Sequence, residues 1–159
     1  MLVNQKTKKI ILNVTPQTHC RATQGDAIFF RIPRSKLRPD GLRRLLRLEK
    51  YNQYKVDLLS EAKQKNFTIP ASGLCLTFYL PLPKSWSKKK KKEYNGRLMQ
   101  SRPDIDNLIK SFCDSLVSED KYIANISATK RWADFPVGWI ECSLIDEPMQ
   151  VLIQPPAKG

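Results

Sequence analysis

After Pro103, five apolar side chains, Ile105, Leu108, Ile109, Phe112 and Leu116, recur at intervals of three and four. That spacing gathers them on one side of a helix, so it predicts a helix over about 105–117 with a single buried face. The clearest strand is Leu74-Cys75-Leu76-Thr77-Phe78-Tyr79-Leu80, rich in β-formers and bounded by Gly73 and Pro81. Lys9 to Val14 reads as a first strand ended by Thr15-Pro16, and Gln17 to Gly25 as a polar loop. Ala27 to Ile32 reads as a short second strand closed by Pro33.

From Asp40, placed as an N-cap, to about Lys65 the pattern is helical, with Leu42, Leu45, Leu46, Tyr51, Tyr54, Leu58 and Ala62 on its apolar stripe. Ser87 is placed to cap a helix made almost entirely of Lys88, Lys89, Lys90, Lys91 and Lys92. Strands are expected over 121–131 and 137–145, joined as a hairpin through Phe135-Pro136-Val137-Gly138, with a loose tail over 147–159. The expected fold is α+β: one compact domain, a mixed or antiparallel sheet of about four strands, and two to three helices packed on it.

The net charge of +13 over 159 residues is unevenly spread. Residues 1–100 hold 22 Lys and Arg against 6 acids, whereas 101–159 hold 6 against 9. A polyanion partner, most simply nucleic acid, accounts for this asymmetry. Between Arg31 and Lys55, nine basic residues meet two acids, which gives either a solvated face or a phosphate-tracking one. The lysine run opposes its helix dipole by ~0.3–1 kcal/mol per residue, a cost that docked anions would relieve. It reads otherwise as a solvated segment.

Several classes are disfavoured. No stretch approaches the ~20 apolar residues of a membrane span, the first residues lack a signal-peptide pattern, and a cytoplasmic setting is expected. Cys20, Cys75, Cys113 and Cys142 form no C-x-x-C pair, and His19 is the only histidine, so a zinc site is disfavoured. His19 is read mainly as a turn or surface residue. No Gly-rich phosphate loop is present, so no nucleotide cofactor is expected.

Acids are scarce, yet Asp104, Asp106, Asp114, Glu119 and Asp120 cluster around the 105–117 helix. Magnesium-dependent cleavage of nucleic acid gives such a cluster a purpose, because carboxylates hold the hard cation while basic surroundings hold phosphate. The plain alternative is that they are caps and (i, i+4) pairs worth roughly 0.2–0.5 kcal/mol each. Asp106, Lys110 and Asp114 follow at i, i+4 and i+8, so Lys110 is expected to bridge both carboxylates. Asp104 and Asp106 on one regular helix would point roughly 160–200° apart. They converge only if Asp104 precedes the first turn, where Pro103 keeps the chain extended. Asp120 is expected at the start of the next strand, beside the helix.

The run RPDIDNLIKSFCDSL, followed by EDKYI, resembles the signature of the RusA family of Holliday junction resolvases, a PDxDN-x-x-K helix followed by an acidic pair and a strand. LPKSWSKKKKK is similar to the family segment before that helix, and Thr129-Lys130-Arg131-Trp132 to its lysine-containing strand end. The likeness covers roughly 74–145; residues 9–32 match only in their strand, proline and arginine character. The resemblance implies a nuclease domain over 1–146, with a basic part (1–100) and an acidic-cluster part (101–146). It further implies a two-fold homodimer that binds branched DNA and makes paired cuts in four-way junctions with Mg²⁺ or Mn²⁺.

Carried over, Asp104, Asp106 and Asp120 are the metal ligands and Lys110 the catalytic lysine. Asp114 orients Lys110, and Glu119 can stand in as a ligand. The short Val117-Ser118 link departs from the family pattern. On the same analogy Arg21, Lys88 to Lys92, Lys130 and Arg131 contact the junction backbone. Trp86 and Phe135 either wedge bases or pack internally. Two alternatives stay open: a non-catalytic nucleic-acid-binding protein, and the same chemistry on flaps or forks.

Overall fold

The computed structural model describes residues 9–145, 150, 152 and 153. The tail expected over 147–159 falls largely outside the described residues. Four strands form one mixed sheet: β1 (Lys9–Leu12), β2 (Leu74–Pro81), β3 (Ile126–Ala133) and β4 (Trp139–Leu144), in the order β1-β4-β2-β3. The helices are α1 (Pro39–Gln64), α2 (Lys88–Tyr94) and α3 (Ile105–Leu116). No described helix is long and apolar enough to cross a membrane.

β2 alternates buried and half-buried residues along its length, which puts Leu74, Leu76, Phe78 and Leu80 on one face. α3 lays Leu108 and Phe112, both fully buried, against that face, with the Phe112 ring edge-on to Phe78 at 6.3 Å. α1 adds Tyr51, Tyr54 and Leu58 to the same core. Each such large apolar side chain contributes about 1.5–3 kcal/mol through burial. On the opposite face of the sheet, Tyr79 stacks on Trp139 at 4.5 Å.

Four local expectations are corrected. Residues 27–32 form no strand: Gln24–Phe30 is a 3₁₀ helix. The Thr23 N–H donates to the Asp26 carboxylate (2.6 Å), and Asp26, buried, is gripped by the Arg44 guanidinium at 3.0 and 2.8 Å. That local lock outcompetes a ladder for which Ile28 and Phe30, both exposed, offer no buried face. Residues 134–138 are not a hairpin, because β2 lies between β3 and β4, parallel to the first and antiparallel to the second. The connection crosses the end of β2, and a Cβ at Gly138 would lie 2.2 Å from the Tyr79 carbonyl oxygen. α1 starts at Pro39 with Arg38 as N-cap, and Asp40 instead pairs with Arg43 in the first turn. β3 begins only at Ile126, because Asp120–Tyr122 forms a short 3₁₀ turn first. The Ser87 cap is as expected, its hydroxyl accepting from the Lys90 N–H at 3.3 Å.

Arg44 above all, and then the Thr23 backbone, hold the Asp26 carboxyl well below the usual carboxylate range. A depressed native value means the stabilisation is fully present above the unfolded value of about 3.9 and is lost as pH falls towards the native one. Asp26→Asn should therefore flatten the decline in stability below about pH 4, followed by denaturant unfolding at stepped pH. An acid limb identical to that of the wild type would contradict this role.

Candidate active site

α3 is the frame of the site, because its buried face fixes where its polar face points. Asp104 is the N-cap residue, with extended backbone (φ −69°, ψ 142°) after a cis Arg102–Pro103 peptide. It therefore precedes the first turn, as convergence with Asp106 requires. Its carbonyl accepts from Leu108 N–H (3.2 Å), while its side chain makes no capping bond, so the carboxylate stays uncommitted.

Asp106, Lys110 and Asp120 line one open concavity of about 300 Å³ together with Ile109, Cys113, Ile123 and Ile126. Asp104 lines a neighbouring concavity with Thr18, Arg102, Pro103 and Asn107. Asp106 and Asp120 thus line the same concavity, and Asp104 lines a separate one. Among the described residues, no three His, Cys, Asp or Glu side chains converge as a ready metal cage. The donor chemistry still fits Mg²⁺, which takes one or two carboxylates and keeps several waters. Cys113 stays a thiol: burial, then Asp114 and Asp120, push it up to about 11.

Lys110 does not bridge two carboxylates. Among the described ion pairs it joins Asp114 alone, at 3.4 Å. His19 Nε2 lies 3.2 Å from the same Asp114 oxygen. The 17–20 segment is docked on α3, with Ser111 Oγ donating to the Gln17 carbonyl (2.5 Å) and the His19 N–H donating to the Asn107 carbonyl (3.4 Å). His19 also meets the Tyr51 ring edge-on at 5.5 Å. The i, i+4 spacing yielded the Lys110–Asp114 link, but no periodic signal placed His19 beside Asp114. The Asp26–Arg44 lock was likewise missed, although Thr23 and Asp26 stand at capping-box spacing. Glu119 is paired with Lys121.

The candidate DNA contacts divide into two groups. Lys130 Nζ donates to the carbonyls of Ser101 and Pro103, the latter at 2.6 Å, and so ties β3 to the loop that carries Asp104. Arg131 donates to the Gly96 carbonyl at 2.9 Å. Arg21 and Lys88 to Lys92, by contrast, take part in none of the described ion pairs, and only Lys91 among them is half-buried. Lys90 lies 3.9 Å over the Trp86 ring, and Trp86 itself packs half-buried against Tyr94 and Trp132. Phe135 is 58% exposed at the β3–β4 connection, edge-on to Trp139 at 5.5 Å.

A family model for the endodeoxyribonuclease RusA matches residues 32–141, a span holding α1 to β3 and the whole Asp106–Lys110–Asp120 concavity. The chain belongs to the RusA endodeoxyribonuclease family. No curated protein and no solved structure matches it. Membership in the RusA family makes the chain an endonuclease of the class that resolves Holliday junctions. It also places the PDIDNLIK run, on the N-cap and first turns of α3, inside the matched region.

Lys130 supplies charged donors to two carbonyls beside Asp104. Lys130→Met should lower stability by about 1.5–3 kcal/mol, the usual worth of charge-assisted hydrogen bonds, in urea unfolding. A variant as stable as the wild type would leave the loop held by something else.

Proposed function

We propose that the chain is a magnesium-dependent, structure-specific endonuclease that resolves four-way DNA junctions by paired nicks in opposing strands, in recombination and repair. The observation that carries this reading is the shared concavity of Asp106, Lys110 and Asp120 on a family-matched α3.

Asp106 and Asp120 hold the cation, and Asp104, uncommitted at the N-cap, completes the carboxylate set from the adjoining edge. Bound there, Mg²⁺ supplies a water of lowered pKa and neutralises charge on the scissile phosphate. Lys110, half-exposed in the same concavity, takes a non-bridging phosphate oxygen and stabilises the charge that develops on it. Asp114 holds the Lys110 ammonium in place, and His19 holds Asp114. Lys88 to Lys92 on α2, free of carboxylate partners among the described ion pairs, bind the DNA backbone through counterion release.

Two such sites related by a two-fold axis address two strands of a junction of matching symmetry, so the working form is a homodimer. The test is a synthetic mobile four-way junction incubated with Mg²⁺ or with EDTA. Symmetric, metal-dependent nicks are expected. Asp106→Asn should abolish cutting and retain binding, and Lys110→Met should slow cutting by about 10²–10³. Binding without cutting under any divalent metal would overturn the proposal. Cutting of flaps or forks, with four-way junctions left intact, would overturn the substrate.

A further inference from the structure

α1 is the longest of the described helices, and the candidate active site gives its cations no role. Its Arg44, Arg47, Lys50 and Tyr51 fall within one third of the helix circumference at 3.6 residues per turn. Together with the 17–21 segment they line a concavity of about 490 Å³. Its lining carries Arg21, Arg44, Arg47 and Lys50 beside His19, and no carboxylate.

These cations differ in what they already hold. Arg44 is committed to Asp26 and to the Arg21 carbonyl at 2.7 Å, so it is part of the wall. Arg21, Arg47 and Lys50 are exposed and take part in none of the described ion pairs. Tyr51 is buried among them and adds no negative charge, since burial pushes its hydroxyl up to about 12. Three unneutralised cations around one concave surface repel each other until an anion enters. Guanidinium and ammonium groups set side by side suit phosphate oxygens, the first by paired donors and the second as a point charge.

The place of this basin names the anion's source. His19 lines it and also contacts Asp114 at 3.2 Å, and Asp114 contacts Lys110 at 3.4 Å. Two side chains, His19 and Asp114, thus join the basin to the lysine assigned to the scissile phosphate. We infer that the basin is a second phosphate site, in which Arg21, Arg47 and Lys50 take a DNA backbone phosphate flanking the one held at Lys110. The inference rests on the DNA substrate proposed above.

The test uses the full chain in EDTA and a fluorescent four-way junction, with binding read by anisotropy across a salt series. The double variant Arg47→Ala/Lys50→Ala is compared with Arg43→Ala, an exposed cation of the same helix that pairs with Asp40. The double variant should lose about tenfold in affinity at low salt, and its plot of log K against log salt should be shallower by about one to two. Arg43→Ala should change neither by as much. Unchanged affinity and slope in the double variant, or an equal loss in Arg43→Ala, would overturn the site. A companion titration with inorganic phosphate reads the His19 ring by NMR. A shift abolished in a double variant that binds DNA like the wild type would mean a free-phosphate pocket and overturn the DNA assignment. Cutting is not read, so a failure of the nuclease chemistry leaves the difference in binding intact.

Discussion

The packing of α3 on β2 is the contact on which the rest depends. Leu108 and Phe112 are fully buried against the β2 face that carries Leu76 and Phe78. Burial of that stripe fixes the rotation of α3 about its axis, and rotation decides which way Asp106, Lys110 and Asp114 point. A helix of 3.6 residues per turn cannot bury Leu108 and Phe112 and also turn Asp106 into the core. The polar groups of α3 are thus positioned by apolar contacts made on its opposite face.

Around this frame the chain invests polar interactions in holding loops. Lys130 reaches from β3 to the Ser101 and Pro103 carbonyls, Ser111 and Asn107 dock the 17–20 segment, and Arg44 closes on buried Asp26. The first two clamp the loops that carry Asp104 and His19 beside α3, and the third fixes the 24–30 turn on α1. The remaining cations divide the work. Those in clamps are spent on carbonyls or acids, and those on α2, with Arg47 and Lys50 on α1, take part in none of the described ion pairs, leaving a field that favours a polyanion.

Much of this was legible in the chain. The 3–4 spacing of Ile105, Leu108, Ile109, Phe112 and Leu116 yielded α3 within a residue, and the Ser87 cap yielded α2. The extended position of Asp104 followed from its place after Pro103 and two residues before Asp106. Long-range partners were harder to see. The 27–32 segment has strand-like composition, but the Asp26–Arg44 pair spans 18 residues and folds it otherwise. β3 and β4 look like a hairpin in sequence, because nothing local says that β2 inserts between them. The sole histidine gave no hint of Asp114, since their meeting is made by two elements that only the tertiary fold brings together.

Asp106 and Asp120, 14 positions apart in the chain, line one concavity, and the proposed cation site rests on that meeting. Water-proton relaxation during a Mn²⁺ titration reads that site without DNA or catalysis. Binding should disappear in Asp106→Asn, weaken in Asp120→Asn, and persist in Glu119→Gln, whose wild-type carboxylate is paired with Lys121. Wild-type Mn²⁺ affinity in both aspartate variants would contradict the account.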